Sequence, residues 1–168
     1  PLAARTAIIM PIYNEDTARV AAGLDVIWSS LVRLPEQAAF DLFVLSDTRK
    51  LDIAAAEESA WRELSARHHA RGRIFYRRRP ENLGRKAGNI ADFVRAWGGA
   101  YDYAIVLDAD SIMSGEAMVN LARLMDANPQ AGIIQALPLP VGRETLFARL
   151  IQFAARLSSP MLASGLAW

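Results

Sequence analysis

The feature that most constrains this chain is an alternation of short apolar runs with longer stretches of helical periodicity. Thr6-Ala-Ile-Ile-Met-Pro-Ile12 and Asp41-Leu-Phe-Val-Leu-Ser46 are near-continuous apolar runs, the pattern of strands covered on both faces. Arg73-Ile-Phe-Tyr-Arg77 is shorter and flanked by charge, which suits a strand nearer an edge. Tyr103-Ala-Ile-Val-Leu107 and Gly132-Ile-Ile-Gln-Ala136 read as a fourth and a fifth strand. From Thr17 to Leu34, the residues Val20, Leu24, Ile27, Trp28 and Leu31 fall at helical spacing. Ile53, Ala60, Trp61, Leu64 and His68 do so in a second helix, and a third runs from about Lys86 to Trp97, where Gly98-Gly99 ends it. A fourth starts after Ser114 as N-cap, with Met118, Leu121, Ala122 and Met125 inward, and stops at Asn128-Pro129. A last helix is expected at about 144–157, before Pro160. Strands alternating with helices in this way predict an α/β fold with a mostly parallel sheet.

Length and charge narrow the class. A chain of 168 residues suits one compact domain and is short for two. Nineteen basic and 18 acidic residues nearly cancel, which argues against a disordered chain or a charged tail, and with an aromatic share of 8% against a nucleic-acid face. The absence of Cys excludes a disulfide scaffold and thiolate zinc. No stretch has the ~18 apolar residues of a membrane span, because the uncharged segment 127–142 contains three prolines. A soluble domain is therefore expected. The run Met161 to Trp168 reads as a cut rather than a finished end.

The polar residues gather where each run ends. Asn14-Glu15-Asp16 follow the first, Asp47 the second, Asp108-Ala-Asp110 the fourth, and Gln135 and Pro138 close the fifth. These are carboxyl ends of strands, where open α/β sheets bind ligands, and neighbouring first and fourth strands would put a crevice between them. Acidic groups converging there require a cation. Asp108-Ala-Asp110 has two readings: carboxylates for a hard divalent ion, Mg²⁺ or Mn²⁺, or a turn and helix cap. Gly84-Arg85-Lys86-Ala87-Gly88-Asn89 also has two: a phosphate-binding helix start with Lys86 as point charge, or a glycine loop with solvated cations. Neither G-x-x-x-x-G-K-[ST] nor G-x-G-x-x-G is present. Arg77-Arg78-Arg79 either neutralise the acidic rim, reach a diphosphate, or form a solvated loop. His68-His69 suits a helix end, and the Met and Trp residues suit packing.

In order, Met10-Pro11-Ile12-Tyr13-Asn14-Glu15-Asp16, Leu45-Ser46-Asp47, Ile74 to Arg79, Lys86-Ala87-Gly88-Asn89-Ile90-Ala91-Asp92-Phe93, Val106 to Ser111 and Ile133-Ile134-Gln135 resemble an inverting family-2 glycosyltransferase. The resemblance is nearest to the glucans biosynthesis glucosyltransferase H family, with cellulose synthase more distant. It spans nearly the whole chain. It implies a GT-A fold, a Rossmann-like three-layer α/β/α unit truncated at its C-terminal side, and residues 1–168 as the donor-binding part of the catalytic domain. It implies UDP-glucose as donor, Mg²⁺ or Mn²⁺ as cofactor, a growing β-glucan as acceptor, and a hexosyltransferase embedded in the bacterial inner membrane with this domain on the cytoplasmic side.

Residue by residue, the resemblance puts Pro11, Ile12, Tyr13 and Glu15 beside the uracil and ribose, and Asp47 on the uracil imide. Lys86 and Asn89 would lie on the donor side, with Lys86 at the diphosphate. Asp108 would touch the nucleotide and Asp110 the metal, both serving catalysis through the ion, while Gln135 would stand on the acceptor side. The base aspartate and the Q-x-x-R-W motif of processive members are not found in residues 1–168, nor are membrane helices. Donor binding without sugar transfer is thus expected of these residues alone, with self-association through the apolar face of 146–168. Two alternatives stay open: another family-2 synthase of cellulose or hyaluronan type, or a non-catalytic nucleotide-binding or interaction domain.

Overall fold

The computed structural model describes residues 2–136. The expected helix at 144–157, Pro138, and the apolar segment 146–168 lie outside the described residues. The chain divides into two compact units, Pro1–Gln130 and Ala131–Trp168. The first unit contains β1 (Thr6–Ile12), α1 (Thr17–Leu31), β2 (Phe40–Ser46), α2 (Leu51–Arg67), β3 (Ile74–Arg78), α3 (Arg85–Trp97), β4 (Tyr103–Val106) and α4 (Gly115–Ala127). Its four strands are all parallel, in the order β3-β2-β1-β4.

That order follows from sidedness. Successive crossovers through α1 and α2 on one face carry the chain from β1 through β2 to β3, and α3 then returns it across the opposite face to the free edge of β1. Strand alternation divides the core accordingly. Ile8, Met10, Leu42 and Val44 pack with Leu24, Trp28, Leu64 and Met118 of α1, α2 and α4. Ala7, Ile9, Phe43 and Leu45 face the other way and pack with Phe93 of α3. Every residue of β1 and β2 is buried, as their unbroken apolar runs require. The edge position expected for β3 is also found.

Two sequence expectations change. The first helix ends at Leu31 rather than Leu34, since Pro35 forces Leu34 into an extended conformation (φ −98°, ψ 144°) and opens a short 3-10 turn, Pro35–Ala39. The expected fifth strand, 132–136, is not a strand. Ile133 is 89% exposed and no ladder partner lies beside it among the described residues, and an unpaired segment has nothing to hold it extended. No helix among the described residues is long and apolar enough to cross a membrane.

Candidate functional site

The switch from β2 on one side of β1 to β4 on the other places a crevice at the carboxyl ends of β1 and β4. Pro11 helps to open it. Ile12 directs its carbonyl to Asp47 on the β2 side, and Ile9 directs its own to Leu107 on the β4 side, so residue 11 shares the β4 edge. Pro11 has no N–H to offer there, and the β1–β4 ladder ends at Ile9 opposite Val106. Pro11 and Ile12 are buried, whereas Tyr13 and Glu15 are exposed on the loop that follows. Asn14 adopts a left-handed conformation (φ 52°) and donates its N–H to the Thr48 hydroxyl at 2.9 Å, which ties this loop to the end of β2. Asp16 is the N-cap of α1, accepting the Arg19 N–H at 3.0 Å.

At the end of β2, Asp47 is buried against Arg79. The Arg79 Nη2 donates to Asp47 Oδ2 at 3.0 Å, Nε donates to Oδ1, and Nη1 donates to Asp92 on α3 at 2.8 Å. The two carboxylates hold the Arg79 guanidinium above its ordinary pKa, Asp47 through hydrogen bonding foremost. One of the three successive arginines thus neutralises the acidic rim. Its neighbour Arg77 points the same way, to the Asn89 carbonyl and side chain, with its guanidinium over the Trp97 ring, whereas Arg78 points to the opposite face. On that opposite face the buried Glu57 of α2 accepts from the hydroxyls of Ser46 (2.7 Å), Thr48 (2.5 Å) and Tyr76 (2.9 Å). Burial pushes the Tyr76 phenol up to about 12.

The start of α3 is built for close approach. Gly84 precedes it with φ +66°, and a Cβ on Gly88 would stand 1.9 Å from the Leu83 carbonyl oxygen. Lys86 lies in the first turn and forms an ion pair with Asp108, both side chains about half exposed or more. Asn89, one turn on, is fully buried: its amide donates to the Leu45 carbonyl at 3.0 Å and its oxygen accepts from Arg77. Those bonds fasten α3 to the end of β2.

Asp108 and Asp110 sit exposed on a turn after β4, closed by the Ser111 N–H on the Asp108 carbonyl at 3.0 Å. The helix cap belongs to Ser114, which accepts the Ala117 N–H at 3.2 Å, so the carboxylates of this turn are not engaged as caps. Among the described residues no three His, Cys, Asp or Glu side chains gather as a metal cage. Two carboxylates on one turn do match the chemistry of a Mg²⁺-like ion, which takes one or two carboxylates and completes its shell with water and phosphate oxygens. Gln135 is exposed in the second unit. Lys86 and Asp108 are brought into contact, and Asp47 reaches the α3 start through Arg79, which also donates to the Arg85 carbonyl at 2.9 Å.

Sequence reasoning passed over Glu57 and treated Arg79 only as part of a run. Both carried a signal. Glu57 falls on the stripe that includes Ala54, Trp61 and Leu64, where a carboxylate must find buried donors. Arg77 and Arg79 alternate with Arg78, so an extended segment sends them to one face together.

Residues 7–164 match the family model for glycosyl transferase family 2. The chain belongs to this family. Over 163 residues it is 54% identical to a glucans biosynthesis glucosyltransferase H of Pseudomonas paraeruginosa, covering 97% of this chain and 19% of that protein. The protein of the same name from Salmonella typhimurium is 53% identical over 162 residues, covering 96% of this chain and again 19% of the relative. The chain therefore spans about a fifth of the length of these curated relatives. A solved structure of S. aureus TarS 1-349 resembles 84% of this chain and 41% of its own, at 14% identity and TM-score 0.48. The family-2 domain is thus, over the described residues, a parallel α/β unit with helices on both faces of its sheet.

Proposed function

We propose that this chain is the nucleotide-sugar-binding part of a membrane glucosyltransferase, one that transfers glucose from UDP-glucose, with inversion, to a growing β-glucan. The observation that carries the reading is the contact of Lys86, in the first turn of α3, with Asp108 at the β1–β4 crevice. A lone lysine charge and free N–H groups at a helix start suit a diphosphate, and a carboxylate turn suits the ion that accompanies it. The name of the relatives, at 52–54% identity, supports glucose and a glucan acceptor.

In this reading Tyr13 and Glu15 border the nucleoside, and Pro11 and Ile12 support that loop from below. Asp47 and Asn89 form the inner wall, with Arg79 and Arg77 fixing them. Lys86 leaves Asp108 for the diphosphate, which frees the carboxylates of Asp108 and Asp110 for Mg²⁺ or Mn²⁺. Such an ion supplies Lewis-acid stabilisation of the departing diphosphate charge. Lys86 adds a preorganised positive group at the same place, strongest where negative charge develops. Gln135 belongs to the acceptor side, and the domain works at the cytoplasmic face of the inner membrane.

The test is a calorimetric titration of the intact protein with UDP and UDP-glucose, with and without Mn²⁺. Metal-dependent uridine binding that is lost in Asp110→Ala and weakened in Lys86→Ala is the expected result. Binding indifferent to both changes and to the ion would overturn the donor-site reading.

A further inference from the structure

The mechanism above leaves Glu57 unused. It is 5% exposed, and among the described residues it has no ion-pair partner. Its two oxygens take three hydroxyl protons instead, one each from the end of β2 (Ser46), the loop beyond (Thr48) and the edge strand (Tyr76). The adjoining cavity, lined by Glu57, Glu15, Thr17 and Trp61 among others, is about 20 Å³. That space has room for one water, and the hydrogen bonds of Glu57 are all to side chains of the fold.

What the carboxylate does is set the direction of the hydroxyls. Glu57 accepts in all three bonds. With their protons committed to it, Ser46 and Thr48 must present lone pairs elsewhere, and both meet a backbone N–H. Thr48 Oγ1 accepts from Asn14 at 2.9 Å, and Ser46 Oγ accepts from Thr48 at 3.1 Å. The first of these bonds holds the Tyr13–Glu15 loop of β1 against the Asp47–Thr48 loop of β2. The second shapes the turn that carries Asp47.

We propose that Glu57 is a positioning residue for nucleotide binding, orienting the Ser46 and Thr48 hydroxyls so that the loops after β1 and β2 are held in register around the donor. This rests on the donor-site reading. A Gln at 57 keeps the size but offers an NH₂ where an acceptor stood. The hydroxyl facing that NH₂ loses the buried acceptor for its proton, so its lone pairs are no longer fixed toward the N–H of Asn14 or Thr48, and the loop contact is weakened.

The experiment uses the intact protein, with UDP plus Mn²⁺ as probe in calorimetry and thermal unfolding alongside. Glu57→Gln and Thr48→Val are each expected to weaken UDP binding about tenfold, the size of one lost buried hydrogen bond. The double variant should be no weaker than either single one, and Thr48→Ser, which keeps the hydroxyl, should bind as the parent does. A role in stability alone would lower the unfolding midpoint while leaving the affinity of the folded protein intact, and would overturn the proposal. Additive losses in the double variant would also overturn it. Should Glu57→Gln not fold, the Thr48 pair decides: equal UDP affinity for Val and Ser at that position ends the proposal. If Lys86→Ala and Asp110→Ala both bind UDP normally, the donor-site reading fails and this inference with it. If they weaken binding while the Glu57 and Thr48 variants do not, this inference alone fails.

Discussion

At the residue scale, three carboxylates of the acidic rim at the carboxyl edge each have a partner of their own. Asp16 has the Arg19 N–H in the first turn of α1, Asp47 has Arg79, and Asp108 has Lys86. The Asp47–Arg79 pair is the most enclosed, with side chains 4% and 8% exposed. Removing Arg79 leaves the Asp47 charge buried without a counterpart, so Arg79→Met is expected to cost on the order of 3 kcal/mol in urea unfolding. Arg79→Ala, Asp47→Ala and the double variant would give the coupling. A second residue-scale prediction concerns acid. The Asp25 carboxyl is held below its usual 3.8, first by its hydrogen bond to His68 (2.5 Å) and also by the charge of Arg67 (2.9 Å). A depressed folded value stabilises at pH above the unfolded value and fades as pH falls through the folded one. Chemical denaturation between about pH 5 and pH 2 should therefore show the advantage of the parent over Asp25→Asn shrinking on the acid side of 3.8.

At the scale of elements, helix starts carry the design. Asp16→Ala removes the cap of α1 and is expected to cost about 1 kcal/mol in unfolding while leaving UDP affinity unchanged, because Asp16 is engaged by Arg19 and not by the donor. Gly88→Ala should behave differently. Its Cβ would meet the Leu83 carbonyl at 1.9 Å, so the loop 83–84 must move and carry the first turn of α3 and Lys86 with it. Both a lower unfolding midpoint and weaker UDP binding are expected. A variant that loses stability but binds UDP fully would place Lys86 outside the diphosphate site. These elements were well legible in sequence: the helix starting at Thr17 is found where expected, and the one after Ser114 is found with its expected cap, because a cap is a local hydrogen bond between near neighbours.

At the scale of the whole molecule, the proposed ion belongs to the ligand and not to the fold. No core contact or hydrogen bond among the described residues passes through the Asp110 side chain. Chelation with EDTA should consequently abolish tight UDP binding without shifting the unfolding midpoint. A midpoint that fell with EDTA would show that the metal also supports the fold.

The amino-acid sequence by itself determined the alternation of strands and helices, the double-sided burial of β1 and β2, the caps, and the placing of polar residues at strand ends. These depend on side-chain period and on neighbours a few positions apart, which a sequence carries directly. It did not determine the fifth strand, since a strand exists only when a partner pairs with it, and 132–136 has none among the described residues. Nor did it determine which charges meet. Asp47 finds Arg79 at a separation of 32 positions, Lys86 finds Asp108 at 22, and Asn14 finds Thr48 at 34. The first and third were decided when β2 paired with β3 and with β1, and the second when the return through α3 set β4 beside β1. The tertiary fold chose the partners, because only it brings distant strand ends to one edge.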